Sequence, residues 1–372
     1  MARVALVQVG IGTVGGEVVS QVLAHRAQWR RSLGLDVRVA ALVGRGGALA
    51  AEEPGAGLPD DVLRRAVADR RDGLGLEALP GRARDLVPPA EAVLRLAAEG
   101  PTIVMDAAAG EPTAVLDARA LAARAEVVLS NKAPLALPLA NPLAAALWDN
   151  AGPRGHLRYE ATCGAGLPVI STLRTLLDTG DEAVEIVGAL SGTLGAIFSD
   201  LEAGASFSEA VRGAKAKGYT EPDPRDDLSG LDVARKALIL ARTIGRRADL
   251  ADVAVESLVP AGLADVPAEA FLERVGEADT AFAERSAAAR AEGAVLRYVA
   301  TVTPDGPLAV GVRPVPAESV LGSRKGPENV VVIRTRRYDA HPLTIVGPGA
   351  GAAVTAAGML GDAISLALGR RG

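Results

Sequence analysis

Apolar residues along this chain fall into short, nearly unbroken runs separated by segments with a helical repeat. That is the texture of buried parallel strands alternating with amphipathic helices. Val4–Val9 is the first run, interrupted only by Gln8. Glu17–Arg31 then reads as a helix, Val37–Val43 as the second strand, Glu91–Glu99 as a helix and Thr102–Asp106 as a third strand ending on an acid. Pro112–Arg124 is helical again, and Val127–Leu129 is a strand running into Ser130-Asn131-Lys132. Alternation of this kind predicts an α/β fold with a doubly wound parallel sheet. The stretch from Gly44 to Gly81 is rich in Gly, Ala and Arg and reads as a variable loop-and-helix excursion.

After Pro153 the pattern changes. Tyr159–Pro168 reads as a strand entering a glycine-rich bend, followed by a helix over Val169–Thr179. Val184–Leu190 is a strand ending in Ser191-Gly192-Thr193, and helical patterns cover Leu194–Glu202, Ser208–Lys217 and Leu231–Ile244. The apolar stretches Val253–Leu258, Leu296–Val302, Leu308–Pro314 and Val330–Thr335 predict an α+β region with a second, mixed or antiparallel sheet. Ile345–Gly351 is a strand with a glycine turn, and Ala352–Leu368 is the last helix. The predicted division is therefore one domain from 1–152 and 340–372, and a second over 153–339.

Composition narrows the class. Hydrophobic residues make up 49% of 372 residues, enough for packed cores. The net charge of −5 argues against a nucleic-acid or anionic-membrane partner. The single cysteine, Cys163, rules out an intrachain disulfide and points to a reducing compartment. The N-terminus enters a strand directly with no leader-like region, and no apolar run reaches the roughly 18–20 residues of a membrane helix, so the cytoplasm is expected. His25, His156 and His341 lie too far apart, with one cysteine, to suggest a zinc site. Five lysines stand beside 35 arginines, so a lysine inside a constrained motif draws notice.

Gly10-Ile11-Gly12-Thr13-Val14-Gly15 follows the first strand and opens the first helix. A lone Gly-x-Gly-x-x-Gly is weak among 42 glycines, and a ligand-free βα turn is the plain alternative. Its position is what strengthens it. The glycines permit a tight turn, and the helix N-terminus offers N–H groups and a positive dipole end to a pyrophosphate. The domain 1–152 with 340–372 is thus read as a Rossmann-type dinucleotide-binding domain. The second strand ends Val43-Gly44-Arg45, with no acid to hold a ribose 2′-hydroxyl. Arg45 suits a 2′-phosphate, which favours NADP and leaves NAD open, the other reading being one more arginine on a solvated loop.

The densest chemistry lies in Gly218–Lys236. Two prolines and two glycines bar a continuous helix before Leu231, so Glu221, Asp223, Asp226 and Asp227 are expected on a shaped loop. Asp232 and Lys236 are i,i+4 on the following helix, the spacing of an ordinary surface salt bridge. With so many carboxylates beside one lysine, a polar ligand or a proton-transfer task becomes the better reading.

The segments Gly10–Gly15, Ser130–Lys132, Tyr159–Pro168, Ser191–Thr193, Gly218–Lys236, Glu256–Pro260 and Gly347–Gly351 together resemble the homoserine dehydrogenase family, in the family's order and over nearly the whole chain. The resemblance implies reversible, NAD(P)-dependent interconversion of L-homoserine and L-aspartate 4-semialdehyde by direct hydride transfer, in threonine, methionine and isoleucine biosynthesis. It implies catalytic roles for Lys236, Lys132 and Asp232, with the carbonyl between the two lysines. Substrate contacts are implied at Glu221, Asp227, Asp232, Gly192, Thr193 and Tyr219. Cofactor contacts are implied at Ala108, Lys132, Gly218 and Gly349 beside the glycine turn. A monovalent cation, sodium, is implied on the main-chain carbonyls of Glu160, Cys163, Ala165 and Leu167, with Cys163 where Val is usual. A homodimer is implied through the second sheet of 153–339. Ser130 stands where Ala is usual, and Gly195-Ala196 replaces bulkier residues. No kinase or regulatory segment is recognised, so threonine feedback through such a domain is not expected. Two rivals remain: another semialdehyde or amino-acid oxidoreductase, and a catalytically inert dinucleotide-binding protein.

Overall fold

The structure is a computed structural model, and it describes residues 1–80 and 85–370. It divides into two compact units, Met1–Gly166 with Ala350–Gly372, and Leu167–Gly349. Gly81, the last residue of the predicted excursion, and residues 371–372 of the predicted first domain lie outside the described residues.

The first unit begins with β1 (Ala2–Val9), α1 (Thr13–Ser32) and β2 (Leu35–Gly44). Then β3 (Gly47–Ala50) turns back antiparallel on β2, with Gly44 opposite Gly47, so Arg45 and Gly46 form the tip of a hairpin. The excursion is therefore partly sheet, and it continues with α2 (Asp60–Arg71). There follow α3 (Pro89–Glu99), β4 (Thr102–Asp106), α4 (Ala114–Ala122), β5 (Glu126–Leu129), α5 (Pro142–Trp148) and β6 (Leu157–Arg158). The sheet order is β3-β2-β1-β4-β5-β6, and every pairing except that of β3 is parallel. The order reverses at β1, where chain connections leave to opposite sides, and ligands of such sheets bind at the strand C-termini flanking that point. Val4, Leu6, Val7 and Val9 are buried, as a strand covered on both faces requires.

The second unit contains α6 (Val169–Asp178), β7 (Ala183–Ala189), α7 (Gly192–Glu202), α8 (Phe207–Ala216), α9 (Pro224–Leu228) and α10 (Leu231–Thr243). It continues with β8 (Ala254–Val255), α11 (Ala268–Arg274), α12 (Asp279–Ala291), β9 (Ala294–Val302), β10 (Leu308–Pro316), β11 (Glu328–Thr335) and β12 (Leu343–Pro348). Its sheet runs β12-β11-β7-β9-β10-β8, antiparallel apart from the short β10–β8 pair. The mixed sheet is as the apolar stretches predicted. The boundaries differ, because Leu343–Pro348 pairs with β11 and so belongs here, while 153–166 belongs to the first unit. Backbone pairing across a ladder is invisible in a single run of apolar residues.

Two local expectations also change. The Tyr159 strand is only Leu157–Arg158, since a 3-10 turn at Glu160–Thr162 takes over. Asp226 and Asp227 lie on the short helix α9, which Pro224 opens at its first turn and the Asp223 side chain caps by accepting from the Arg225 N–H.

The last helix, α13 (Ala352–Gly369), returns to the first unit and packs on α1. Its length and mean hydropathy equal those of a membrane-crossing helix, contrary to the expectation that no stretch does. Small residues raise the average here without making an unbroken run. Ala356, Met359, Leu360, Ala363, Leu366 and Ala367 put one face of it into the core of the unit.

Candidate functional site

The chemistry-bearing residues form two groups, one in each unit. In the first unit, the C-terminal ends of β1, β2 and β4 open onto a cleft of about 760 Å³ lined by Gly10, Ile11, Gly12, Arg45, Ala108 and Thr113 among others. Gly10 adopts φ +73°, and a Cβ there would stand 2.9 Å from the Cα and N of Ala108. A Cβ on Gly15 would overlap the Gly10 carbonyl oxygen. Both positions therefore require glycine. Helix α1 begins at Thr13 with no capping side chain and no acid in its first turn, so its N–H groups suit an anion.

The turn is propped from below. Gln8, the polar break in the apolar run Val4–Val9, is buried and donates from Nε2 to the carbonyls of Gly10 at 2.9 Å, Val9 at 3.0 Å and Met105 at 3.2 Å. The interruption in the apolar run was the available signal for this residue. Arg45 is exposed at the hairpin tip, and Arg70 of α2 lines the same cleft with Glu77. Neither Arg70 nor Glu77 was singled out from sequence, because the excursion carries no motif.

At the end of β4 sits a second buried polar group. The Asp106 carboxylate accepts from the Ala108 N–H at 2.8 Å, the Thr113 hydroxyl at 2.7 Å and the Asn131 amide at 3.2 Å. Asn131 also donates to the Gly110 carbonyl at 2.7 Å and accepts from the Ala133 N–H at 3.1 Å, bracketing the half-buried Lys132. Ala108 and Lys132 are thus tied to one carboxylate.

Of the expected cation ligands, Glu160, Cys163 and Ala165 lie on a buried turn of the first unit. Gly164 (φ +133°) and Ala165 (φ +55°) are successive left-handed residues there. The Glu160 N–H donates to Asp362 of α13 at 2.9 Å. Burial pushes the Asp362 carboxyl up to about 7. Leu167 belongs to the second unit, where its carbonyl accepts from Val169. Among the described residues, no group of three or more His, Cys, Asp or Glu side chains is arranged to hold a metal.

In the second unit, Gly230 (φ +75°) caps α10, which projects Asp232 and Lys236 on one face. Lys236 is buried, and its Nζ donates to the Leu190 carbonyl at 2.6 Å and meets the Asp232 carboxylate at 2.8 Å. Leu190 immediately follows β7, just ahead of Ser191-Gly192-Thr193, so the strand end and α10 hold the ammonium together. Thr193 is buried and donates to the Tyr219 carbonyl at 2.6 Å. Asp227 accepts from the Glu221 N–H at 2.8 Å and from Thr193. Partial burial outweighs those bonds, and the Asp232 and Asp226 charges add to it, so the Asp227 carboxyl lies above the usual carboxylate range. Glu221, Gly218 and Tyr219 are exposed around this group. Gly349, at the end of the unit, packs against the fully buried side chain of Asn329. The Leu190 carbonyl was beyond sequence reasoning, since a main-chain acceptor carries no residue signature.

A Rossmann-type unit with a glycine-lined cleft, joined to a unit carrying a buried lysine among carboxylates, defines the class of two-domain dinucleotide oxidoreductase folds. Residues 168–364, just over half the chain, match the sequence profile of homoserine dehydrogenase. The chain belongs to the homoserine dehydrogenase family. It is 44% identical over 229 residues to homoserine dehydrogenase of Saccharomyces cerevisiae, covering 60% of this chain and 64% of the yeast protein. It is similar in structure to a Candida auris protein of unknown function (TM-score 0.84, 34% identity, 98% of each chain). A hyperthermophilic archaeal homoserine dehydrogenase in complex with NADPH has the same fold (TM-score 0.72, 24% identity, 99% and 98% of the two chains). The match spans about a quarter (23%) of the plant bifunctional aspartokinase/homoserine dehydrogenase from Arabidopsis thaliana.

Proposed function

We propose that this chain catalyses the reversible, NADP-dependent oxidation of L-homoserine to L-aspartate 4-semialdehyde, a step toward threonine, methionine and isoleucine. The observation that carries the proposal is Lys236, a buried ammonium held at 2.6 Å by the Leu190 carbonyl and at 2.8 Å by Asp232, whose charge in turn acts on Asp227. Surface salt bridges are not built this way, because burying an ammonium costs solvation that a structural role seldom justifies. The glycine-lined cleft, the uncapped α1 terminus and Arg45 fit a phosphate-bearing dinucleotide. The archaeal family member with NADPH supports that choice of cofactor.

When bound, the nicotinamide supplies the hydride acceptor at its C4. The chain's own residues do the rest. Glu221 and Asp227 bind the substrate ammonium, and its positive charge favours the ionised Asp227 that burial disfavours. Asp232 and the Leu190 carbonyl hold Lys236 so that its Nζ can exchange a proton with the substrate oxygen. Lys132 stabilises negative charge on that oxygen in the reductive direction. Gly192, Thr193 and Tyr219 shape the substrate side, and Gly218 and Gly349 permit close approach of the cofactor. The Glu160, Cys163 and Ala165 carbonyls are oxygen donors on a buried turn, suited to sodium, with Leu167 as the fourth donor. The enzyme acts as a cytoplasmic homodimer, which sedimentation of the purified protein tests.

The test of function is initial rates of homoserine oxidation with NADP and NAD, on wild type and Arg45→Ala, beside a panel of other amino alcohols. Homoserine is expected as the preferred substrate. Arg45→Ala is expected to lose about tenfold or more in kcat/KM for NADP while NAD changes little. No homoserine activity with either cofactor would overturn the proposal.

A further inference from the structure

Buried in the first unit, outside the residues just assigned, is a pair of acids that the chemistry does not use directly. Asp106 ends β4 and Asp117 lies one turn into α4, and both are 0% exposed. The carboxyl oxygens of Asp117 meet no N–H or O–H donor among the described residues, and its polar neighbour is the Asp106 carboxyl. Asp106 by contrast collects an N–H, a hydroxyl and an amide. We propose that Asp106, backed by Asp117, is a positioning residue that fixes Lys132 and the Ala107–Gly110 turn in one geometry.

Two carboxyls side by side in a dry interior cannot both be ionised. Burial raises the Asp106 carboxyl too, but its three donors offset part of that while Asp117 has none among the described residues, so Asp106 is the anionic member and Asp117 holds the proton and donates it to Asp106. Burial, and after it the Asp106 charge, push the Asp117 carboxyl well above its ordinary range. The anion then acts along two routes. Through the Ala108 N–H it holds the turn that packs on Gly10. Through Asn131 it holds the segment whose next residue is Lys132, because that amide also binds the Gly110 carbonyl and the Ala133 N–H. Thr113 bonds to both Asp106 and Asn131 and closes the network. Cofactor turn and lysine therefore share one anchor, and shifting it displaces both. The inference rests on the reading of Lys132 as a group at the reacting oxygen.

The experiment uses full-length Asp106→Asn, Asp117→Ala, Asp117→Asn, Lys132→Ala and the Asp106→Asn/Lys132→Ala double variant. Homoserine-oxidation kcat and KM, NADPH affinity by fluorescence, and Tm are measured for each. Asp106→Asn turns an acceptor into a misplaced donor and is expected to lower kcat about tenfold or more, with homoserine KM within about twofold. Asp117→Ala is expected to lose part of that, and Asp117→Asn, still a neutral donor, to recover it. In the double variant the loss should fall well short of the product of the two single losses, because the route through Lys132 is already gone and only the Ala107–Gly110 turn is left to shift. Additive losses, or an Asp106→Asn enzyme with wild-type kcat while Lys132→Ala is impaired, would overturn the inference and leave the functional reading intact. Wild-type kcat in Lys132→Ala would instead remove the premise and count against the role of Lys132 itself. Should Asp106→Asn fail to fold, Thr113→Val, which deletes one donor, enters the same cycle with a smaller expected loss.

Discussion

The two units present their chemistry by opposite plans. Around the strand ends of the first unit's cleft the surface is main chain and small side chains (Gly10, Gly12, Ala107, Ala108, Ala109), with Arg45, Arg70 and Glu77 also lining it, and the polar side chains Gln8, Asp106 and Asn131 are buried as props. In the second unit the proposed site is made of side chains, Lys236, Asp232, Asp227 and Glu221, with the Leu190 carbonyl holding Lys236 and the Glu221 N–H holding Asp227. A ligand rich in phosphate oxygens is well served by oriented N–H groups, which cannot be altered by a change of side chain. A small zwitterionic substrate needs compact charges in fixed places. The cleft of the first unit is accordingly vulnerable where a Cβ would intrude, and the second unit where a charge is lost.

The sharpest break of that comparison comes from Lys236→Ala. It is expected to lower kcat about 10²–10⁴-fold while NADPH affinity stays within about twofold. Near-normal turnover in stopped-flow assays would sink the assignment of Lys236. Gly15→Ala should show the reverse pattern. Its Cβ overlaps the Gly10 carbonyl, so NADPH affinity is expected to fall about tenfold or more, with Tm lowered as well. Fluorescence titration checks it, and unchanged affinity would mean that the turn adapts. The smallest effect tests the props and not the sites. Asp362 carries a raised pKa of about 7 in the folded chain, against an ordinary carboxylate in the unfolded one. The folded state therefore binds more protons between about pH 4 and 7, so stability falls as pH rises through that window, by at most about 1.4 kcal/mol per pH unit from this group. Asp362→Asn, which still accepts from the Glu160 N–H, should flatten that slope. Denaturant melts from pH 5 to 8 measure it, and an unchanged slope would exclude Asp362 as its source.

Much of this is legible in the sequence itself. The glycine turn could be read because its demands are local: φ +73° at Gly10 and the tight contact at Gly15 exclude other residues within a six-residue window. The Asp232–Lys236 pair was equally readable, since helical periodicity alone brings i and i+4 together. The mixed second sheet followed from the apolar stretches between Val253 and Thr335. Misreadings came where neighbours outweighed local pattern. Leu343–Pro348 joined β11 and not the nucleotide-binding unit, Gly47–Ala50 closed a hairpin, and Asp226 and Asp227 took up a helical turn once Asp223 and Pro224 had started one.

What the chain determined by itself is thus many of the strands and helices, the glycine turn and the charged i,i+4 pair, all of which depend on spacings of a few residues. Tertiary structure decided the rest. It chose the order β3-β2-β1-β4-β5-β6, put the Leu190 carbonyl under Lys236 from 46 residues away, and joined Asp106 to Asn131 across 25. It also singled out Asp117 from 45 acids by burying it against another. The physical reason is that these interactions depend on desolvation and on contact between strands distant in sequence. Neither quantity is a property of any local run of residues.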